Sequence, residues 1–217
     1  MWSIMNKDTQ KYIALILNAV LSGIMISVGG TVYLLCENKL AGSFLFSFGL
    51  FTIVQRGFAL YTGKVGYIPE NAPIYIIETL ITLIGNITGT ALTAYLMKLT
   101  RFSAALSEKA KVCMDNKTSD SIISQLVLGV FCGMLMYLAV DNAKESRKKN
   151  ADISFVFGIC IPVMIFIICG FNHSIADAFY MFSAGTFPKD IPYILTVAAG
   201  NAAGGMIIPL IKKITPI

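Results

Sequence analysis

The chain has 217 residues, of which 56% are hydrophobic and 13% charged, with a formal net charge of +5. Soluble domains carry about 25% charged residues, so this composition excludes an ordinary water-soluble globule and points to a membrane protein with several spans. The small basic excess is what polybasic loops of a membrane protein produce, and it gives no ground for a nucleic-acid partner.

The opening stretch "MWSIMNKDTQK" lacks the basic, apolar and small-residue succession of a cleavable leader, so the first apolar segment is expected to remain as a span. Six apolar segments follow one another at residues 12–35, 41–68, 73–98, 121–140, 153–183 and 190–211. The second and fifth are too long for simple helices. They are interrupted by "QRGFALYTG" (Gln55 to Gly63) and "CGFNHSIADAF" (Cys169 to Phe179), each with glycine and polar groups. Unpaired backbone groups are costly in lipid, so both interruptions should face protein or a water-lined pathway.

Between the fourth and fifth segments lies "AKESRKKNAD", the densest cationic run. Placing it in the cytoplasm puts Lys7, Lys11, Lys64, Lys212 and Lys213 there too, with both termini inside. Lys39, Lys98, Arg101, Lys109, Lys111, Lys117 and Lys189 then lie opposite. The five cysteines form no CxxC pair, and Cys132, Cys160 and Cys169 fall in apolar runs, so neither a disulfide framework nor a metal site is expected.

The two halves resemble each other. Gly57 of "RGFALYTG" and Gly170 of "CGFNHSIAD" are 113 residues apart, and "GNITGT" (Gly85 to Thr90) recurs as "GNAAGG" (Gly200 to Gly205) after 115. Three spans per half is an odd number, which implies an inverted repeat, approximately 1–99 and 100–217, within a single domain and with a site at the interface of the halves. In the Gly-Asn-x-x-Gly patches, the glycines allow close helix approach while Asn86 and Asn201 are expected to bind carbonyls freed by a broken helix. Arg56, Glu78 and Asp177 are ions at membrane depth. Pairing of Arg56 with Glu78 or Asp177 is one expectation; solvation in a vestibule or burial at a subunit interface is the other.

His173 is the only histidine. Taken alone it fits two readings equally, a buried imidazole satisfied by backbone carbonyls and a functional group whose ordinary pKa lies near physiological pH. No Walker lysine, zinc-type His/Glu pair or Ser-His-Asp set can be assembled, so an enzyme is not expected. The aromatic residues read as interfacial anchors.

"FSFGLF", "LYTG", "GNITG", "LAV", "GFNHSIADAF" and "GNAAGG", taken together, resemble the formate/nitrite transporter family over nearly the whole chain. The resemblance implies an all-α membrane fold of six spans, an aquaporin-like inverted repeat with broken second and fifth helices, assembled as a homopentamer without cofactor. It places His173 at the pore centre, faced by Thr62. Leu50, Leu60 and Phe166 fall at apolar constrictions, Lys7 and Lys117 at the vestibules, and Tyr61, Asn172 and Asp177 around the central pair. The chain departs from the family at Asn172, where many relatives carry glutamate, at Asp177, where they carry asparagine, and at Gly133, where some carry asparagine.

The implied activity is passage of small monovalent anions such as formate, nitrite or hydrosulfide across the cytoplasmic membrane, either passive or linked to a proton at His173. An aquaporin-type pore for neutral solutes and a non-transporting membrane sensor or scaffold are the alternatives. The former lacks its Asn-Pro-Ala motifs, and the latter lacks a visible soluble domain.

Overall fold

The computed structural model describes residues 6–215; the outermost residues of the two expected halves, 1–5 and 216–217, lie outside it. Helix α1 (Lys7–Leu35) starts at Asn6, whose side chain accepts the Asp8 N–H, and α2 (Lys39–Arg56) starts at Asn38, which accepts the Ala41 N–H. Then come α3 (Tyr61–Lys64) with a 3-10 turn Val65–Glu70, α4 (Ile74–Met97), α5 (Ser103–Thr118), α6 (Ile122–Lys148), α7 (Asp152–Ile168), α8 (Ser174–Ala184) and α9 (Ile191–Ile214).

Four helices, α1, α4, α6 and α9, are long and apolar enough to cross a bilayer, and α2 with α3 and its 3-10 turn forms a fifth such segment bent by 58°. The 17-residue α7 is apolar but shorter. The outer surface confirms the solvent inferred from composition. Large apolar side chains point outward on every long helix, including Leu17, Phe48, Ile84, Phe131, Phe157 and Leu195, while Ser22, Ser27, Thr82, Asn86, Thr90 and Asn201 are buried. Small and polar residues inside with apolar residues outside is the packing of helices in lipid. This is a multi-pass membrane protein.

Both interruptions are helix stops of the same kind. Gly57 and Gly170 each adopt φ 71°, a left-handed conformation that glycine tolerates. Just beyond them the Phe58 N–H bonds Ile53 O and the Phe171 N–H bonds Phe166 O, both at 2.9 Å, closing a Schellman-type cap. The non-helical stretches are shorter than the sequence suggested: residues 57–60 and 169–173, with Ser174 to Phe179 already helical.

Three contacts fix the helix directions. Lys11 pairs with Glu78 at 2.6 Å, joining the starts of α1 and α4. Arg147 bonds the Val54 and Gln55 carbonyls, joining the ends of α6 and α2, and Lys212 pairs with Asp141 at 2.8 Å, joining the ends of α9 and α6. These ends form one basic end of the bundle; α5 and the start of α9 lie at the far end.

Of the two expectations for Arg56, pairing is not met and exposure is. Arg56 pairs with neither Glu78 nor Asp177, because those carboxylates are taken by Lys11 and Lys117. Arg56 instead sits exposed in the last turn of α2, where a cation suits the helix terminus. Helix α5 was not anticipated: its only buried residues are Leu106, Ala110 and Met114, a narrow i, i+4, i+8 stripe in an otherwise polar stretch.

At the α6–α9 crossing, a Cβ added to Gly133 would overlap the backbone O, Cα and C of Asn201, none of which can swing aside. Gly133→Ala is therefore expected to cost about 1–3 kcal/mol through overpacking, visible as a lower melting temperature in detergent. An unchanged melting temperature would mean that the crossing relaxes freely.

Candidate functional site

The two broken loops are each held by one asparagine. Asn86 donates to Ala19 O (2.7 Å) and Ala59 O (2.9 Å) and accepts the Tyr61 N–H (2.8 Å). Asn201 donates to Gly129 O and Asn172 O, both at 2.8 Å, and accepts the Ser174 N–H at 2.9 Å. Each amide thus binds the carbonyl before a short helix, the N–H that opens that helix, and a carbonyl of a neighbouring long helix. The Tyr61 hydroxyl also donates to Ala198 O at 3.0 Å, tying the first loop to α9.

These anchors bring the first turn of α3 against the start of α8. Thr62 Oγ1 lies 3.1 Å from His173 Nε2, with Thr62 0% and His173 1% exposed. His173 is the N-cap of α8, and its Nδ1 accepts the Ala176 N–H at 3.2 Å. In a neutral ring the proton must then sit on Nε2, which donates to Thr62 Oγ1. The Thr62 hydroxyl hydrogen is left free for another acceptor. Phe166 stacks on the imidazole with centroids 5.4 Å apart, and Phe46 meets Phe166 edge-on at 5.7 Å.

Toward the basic end, a cavity of about 270 Å³ is lined at one side by Leu50 and Leu60, both buried, and elsewhere by Lys64, Lys144, Arg147 and Tyr75, with no carboxylate in its lining. Lys64 lies over the Tyr75 ring at 4.7 Å, and Lys144 over the Tyr67 ring at 3.2 Å. Lys7 is exposed on the first turn of α1 and does not line this cavity. The cations that do line it were not singled out from sequence. The signals available were Lys64, two residues after Thr62, and the position of Lys144 and Arg147 in the cationic run.

On the other side of His173, the Lys117 ammonium is 2.8 Å from Asn172 Oδ1 and 3.3 Å from Asp177 Oδ1. Burial opposes its charge, but the Asp177 carboxylate outweighs this and holds Lys117 above the usual lysine pKa. Tyr193 of α9, another residue not picked out from sequence, donates to Asp177 Oδ2 at 2.8 Å.

A sequence model described as Formate/nitrite transporter matches residues 3–212. Among curated proteins, the chain is 27% identical over 181 residues to "Formate channel FocA" of Escherichia coli K12, covering 74% of this chain and 62% of that one. It is 22% identical over 195 residues to "Formate channel FocB" of the same organism, covering 80% and 67%, and 28% identical over 189 residues to "Uncharacterized transporter YrhG" of Bacillus subtilis 168, covering 78% and 68%. The match thus spans only about two-thirds of the length of these relatives. Of solved structures, "Pentameric formate channel with formate bound" superposes with a TM-score of 0.80 at 22% identity, over 95% of this chain and 98% of that one. "FNT family ion channel" superposes with a TM-score of 0.78 at 16% identity, over 98% and 92%. These likenesses show a shared fold.

Proposed function

The chain belongs to the formate/nitrite transporter family, and from that premise we propose that it forms a channel for small monovalent anions such as formate, nitrite or hydrosulfide. The family is one of transporters and not of enzymes. The observation that carries the reading is the Thr62–His173 contact, buried among apolar residues, with Leu60 and Gly63 on either side of Thr62 in sequence lining a cavity whose charged side chains are all cations.

An anion collected by Lys64, Lys144 and Arg147 meets Leu50 and Leu60, where shedding its hydration without a partner is costly. The corresponding neutral acid crosses more easily. The Thr62 hydroxyl, already accepting from His173, donates to the oxyanion as the anion passes Phe166, and a proton that the imidazole passes on is one it has first taken up from water, so that the ring returns to its neutral form. His173 and Thr62 form the pore centre, Leu50, Leu60 and Phe166 the constrictions, and Asn86 and Asn201 the braces of the two loops. Six spans, with α7 and α8 as the broken fifth, make an inverted repeat. Five copies assemble as a pentamer in the cytoplasmic membrane, basic end inward; the likeness to a pentameric formate channel supports the pentamer.

Reconstituted liposomes test this. Formate, nitrite and hydrosulfide are expected to cross. Water or glycerol permeation without anion flux would establish the neutral-solute pore, and no movement of any solute would favour a sensor or scaffold. If the basic end gathers anions, Lys64→Ala/Lys144→Ala should slow formate flux about tenfold at low ionic strength. That deficit should shrink near 1 M salt, where the screening length falls to about 3 Å; a deficit independent of salt would contradict electrostatic capture.

A further inference from the structure

Lys117 bridges two side chains that bracket His173 in sequence. Asn172, immediately before the histidine, is fully buried: its Oδ1 accepts from Lys117 at 2.8 Å and its Nδ2 donates to Gln125 O at 3.3 Å. Asp177, four residues after it and one turn into α8, gives Oδ1 to Lys117 at 3.3 Å and Oδ2 to the Tyr193 hydroxyl at 2.8 Å. The Asp177 N–H also bonds His173 O at 2.8 Å. Three helices, α5, α8 and α9, therefore converge on the peptide that carries the imidazole. The cluster holds one cation and one anion, with side chains only 15% and 2% exposed. Its charge is spent internally, unlike that of the cavity at the basic end, whose charged lining residues are all cations.

We propose that Asp177 and Tyr193 are positioning residues that act on the central histidine through Lys117, which serves as a buried clamp on Asn172 and not as a collector of anions at the far mouth. The proposal rests on the reading of His173 as the pore centre. Tyr193 orients the Asp177 carboxylate, Asp177 fixes the ammonium, and the ammonium fixes the Asn172 amide, which sets the backbone from which the imidazole projects. Because Lys117 Nζ reaches an oxygen of both residue 172 and residue 177, one carboxylate at either place balances it. A carboxylate at neither place leaves a buried cation unpaired, and one at both places sets two like charges against a single ammonium.

The test is an exchange. Asn172→Glu, Asp177→Asn, the two together, and Tyr193→Phe in the wild-type and doubly substituted backgrounds are reconstituted for formate flux, with elution profile and melting temperature in detergent as folding controls. Each single change at 172 or 177 is expected to lower flux at least about tenfold, and the double change to return it to within about threefold of wild type. Tyr193→Phe should lower flux about threefold in the wild-type background and less in the exchanged one, where its acceptor is a neutral amide oxygen in place of the carboxylate.

A double variant that elutes and melts like wild type yet remains as slow as the singles would overturn the proposal. An equal cost of Tyr193→Phe in both backgrounds would do so too. If the single variants do not fold, recovery of monodisperse protein by the double variant supports the exchange, and failure to recover contradicts it. A wild-type protein that moves no anion would sink the channel reading alone, because the melting temperatures of the same variants still report on the clamp.

Discussion

Replacing His173 by phenylalanine is expected to lower formate flux by at least about a hundredfold, the usual cost of deleting a hydrogen-bonding group from a water-excluded site. Phenylalanine keeps an aromatic ring to stack on Phe166, so the apolar packing around the imidazole changes little. What is lost is the Nε2 bond to Thr62 and every proton the ring can carry. Without that donor, Thr62 loses the partner that leaves its own hydrogen free for the anion. Phenylalanine also removes the side-chain cap of α8, since it cannot accept the Ala176 N–H, at a cost of about 1 kcal/mol in stability. His173→Gln separates the two losses: its longer amide can place a nitrogen where Nε2 lies and donate to Thr62, but it does not titrate. A flux deficit in the phenylalanine variant fully restored by glutamine would assign the role to hydrogen bonding; a deficit in both assigns it to the proton.

Asn201→Ala is expected to have the largest effect on folding. It removes three hydrogen bonds at once and strands the Asn172 carbonyl and the Ser174 N–H in a break with no helical ladder to take them up. Two buried unsatisfied groups cost about 2–6 kcal/mol, against a typical total stability of about 5–15 kcal/mol. Loss of monodisperse protein, or a melting temperature lowered by many degrees, is the expected outcome. Asn201→Asp preserves an acceptor for Ser174 but neither donor, so it should rescue little. A near-normal melting temperature for the alanine variant would show that the break is held by other contacts. Asn86→Ala removes the equivalent three bonds from the first loop and should behave alike.

Much of this arrangement was legible because membranes punish irregular backbone. A glycine with polar neighbours inside an overlong apolar run marks a break, and two such breaks at a constant spacing mark related loops, which is how Gly57, Gly170, Asn86 and Asn201 stood out. The juxtaposition of Thr62 and His173 was not derivable from pattern alone; it followed from the family resemblance. Helix α5 stayed hidden because three buried residues, Leu106, Ala110 and Met114, make too narrow a stripe beside long apolar spans. The partners of Arg56 depended on how neighbouring helices are rotated, which composition does not encode. Lys64 and Lys144 converge from α3 and α6 across 80 residues of sequence, and Tyr193 finds Asp177 only because α9 packs beside α8.

The central claim is that His173 couples proton availability to anion passage. Its most direct test is the formate flux of wild type and His173→Asn in liposomes between about pH 5 and pH 8. The account predicts that the variant is slower and loses the part of the pH dependence that exceeds the changing fraction of neutral formic acid. Rates and pH profiles of the two proteins that superimpose throughout would contradict it.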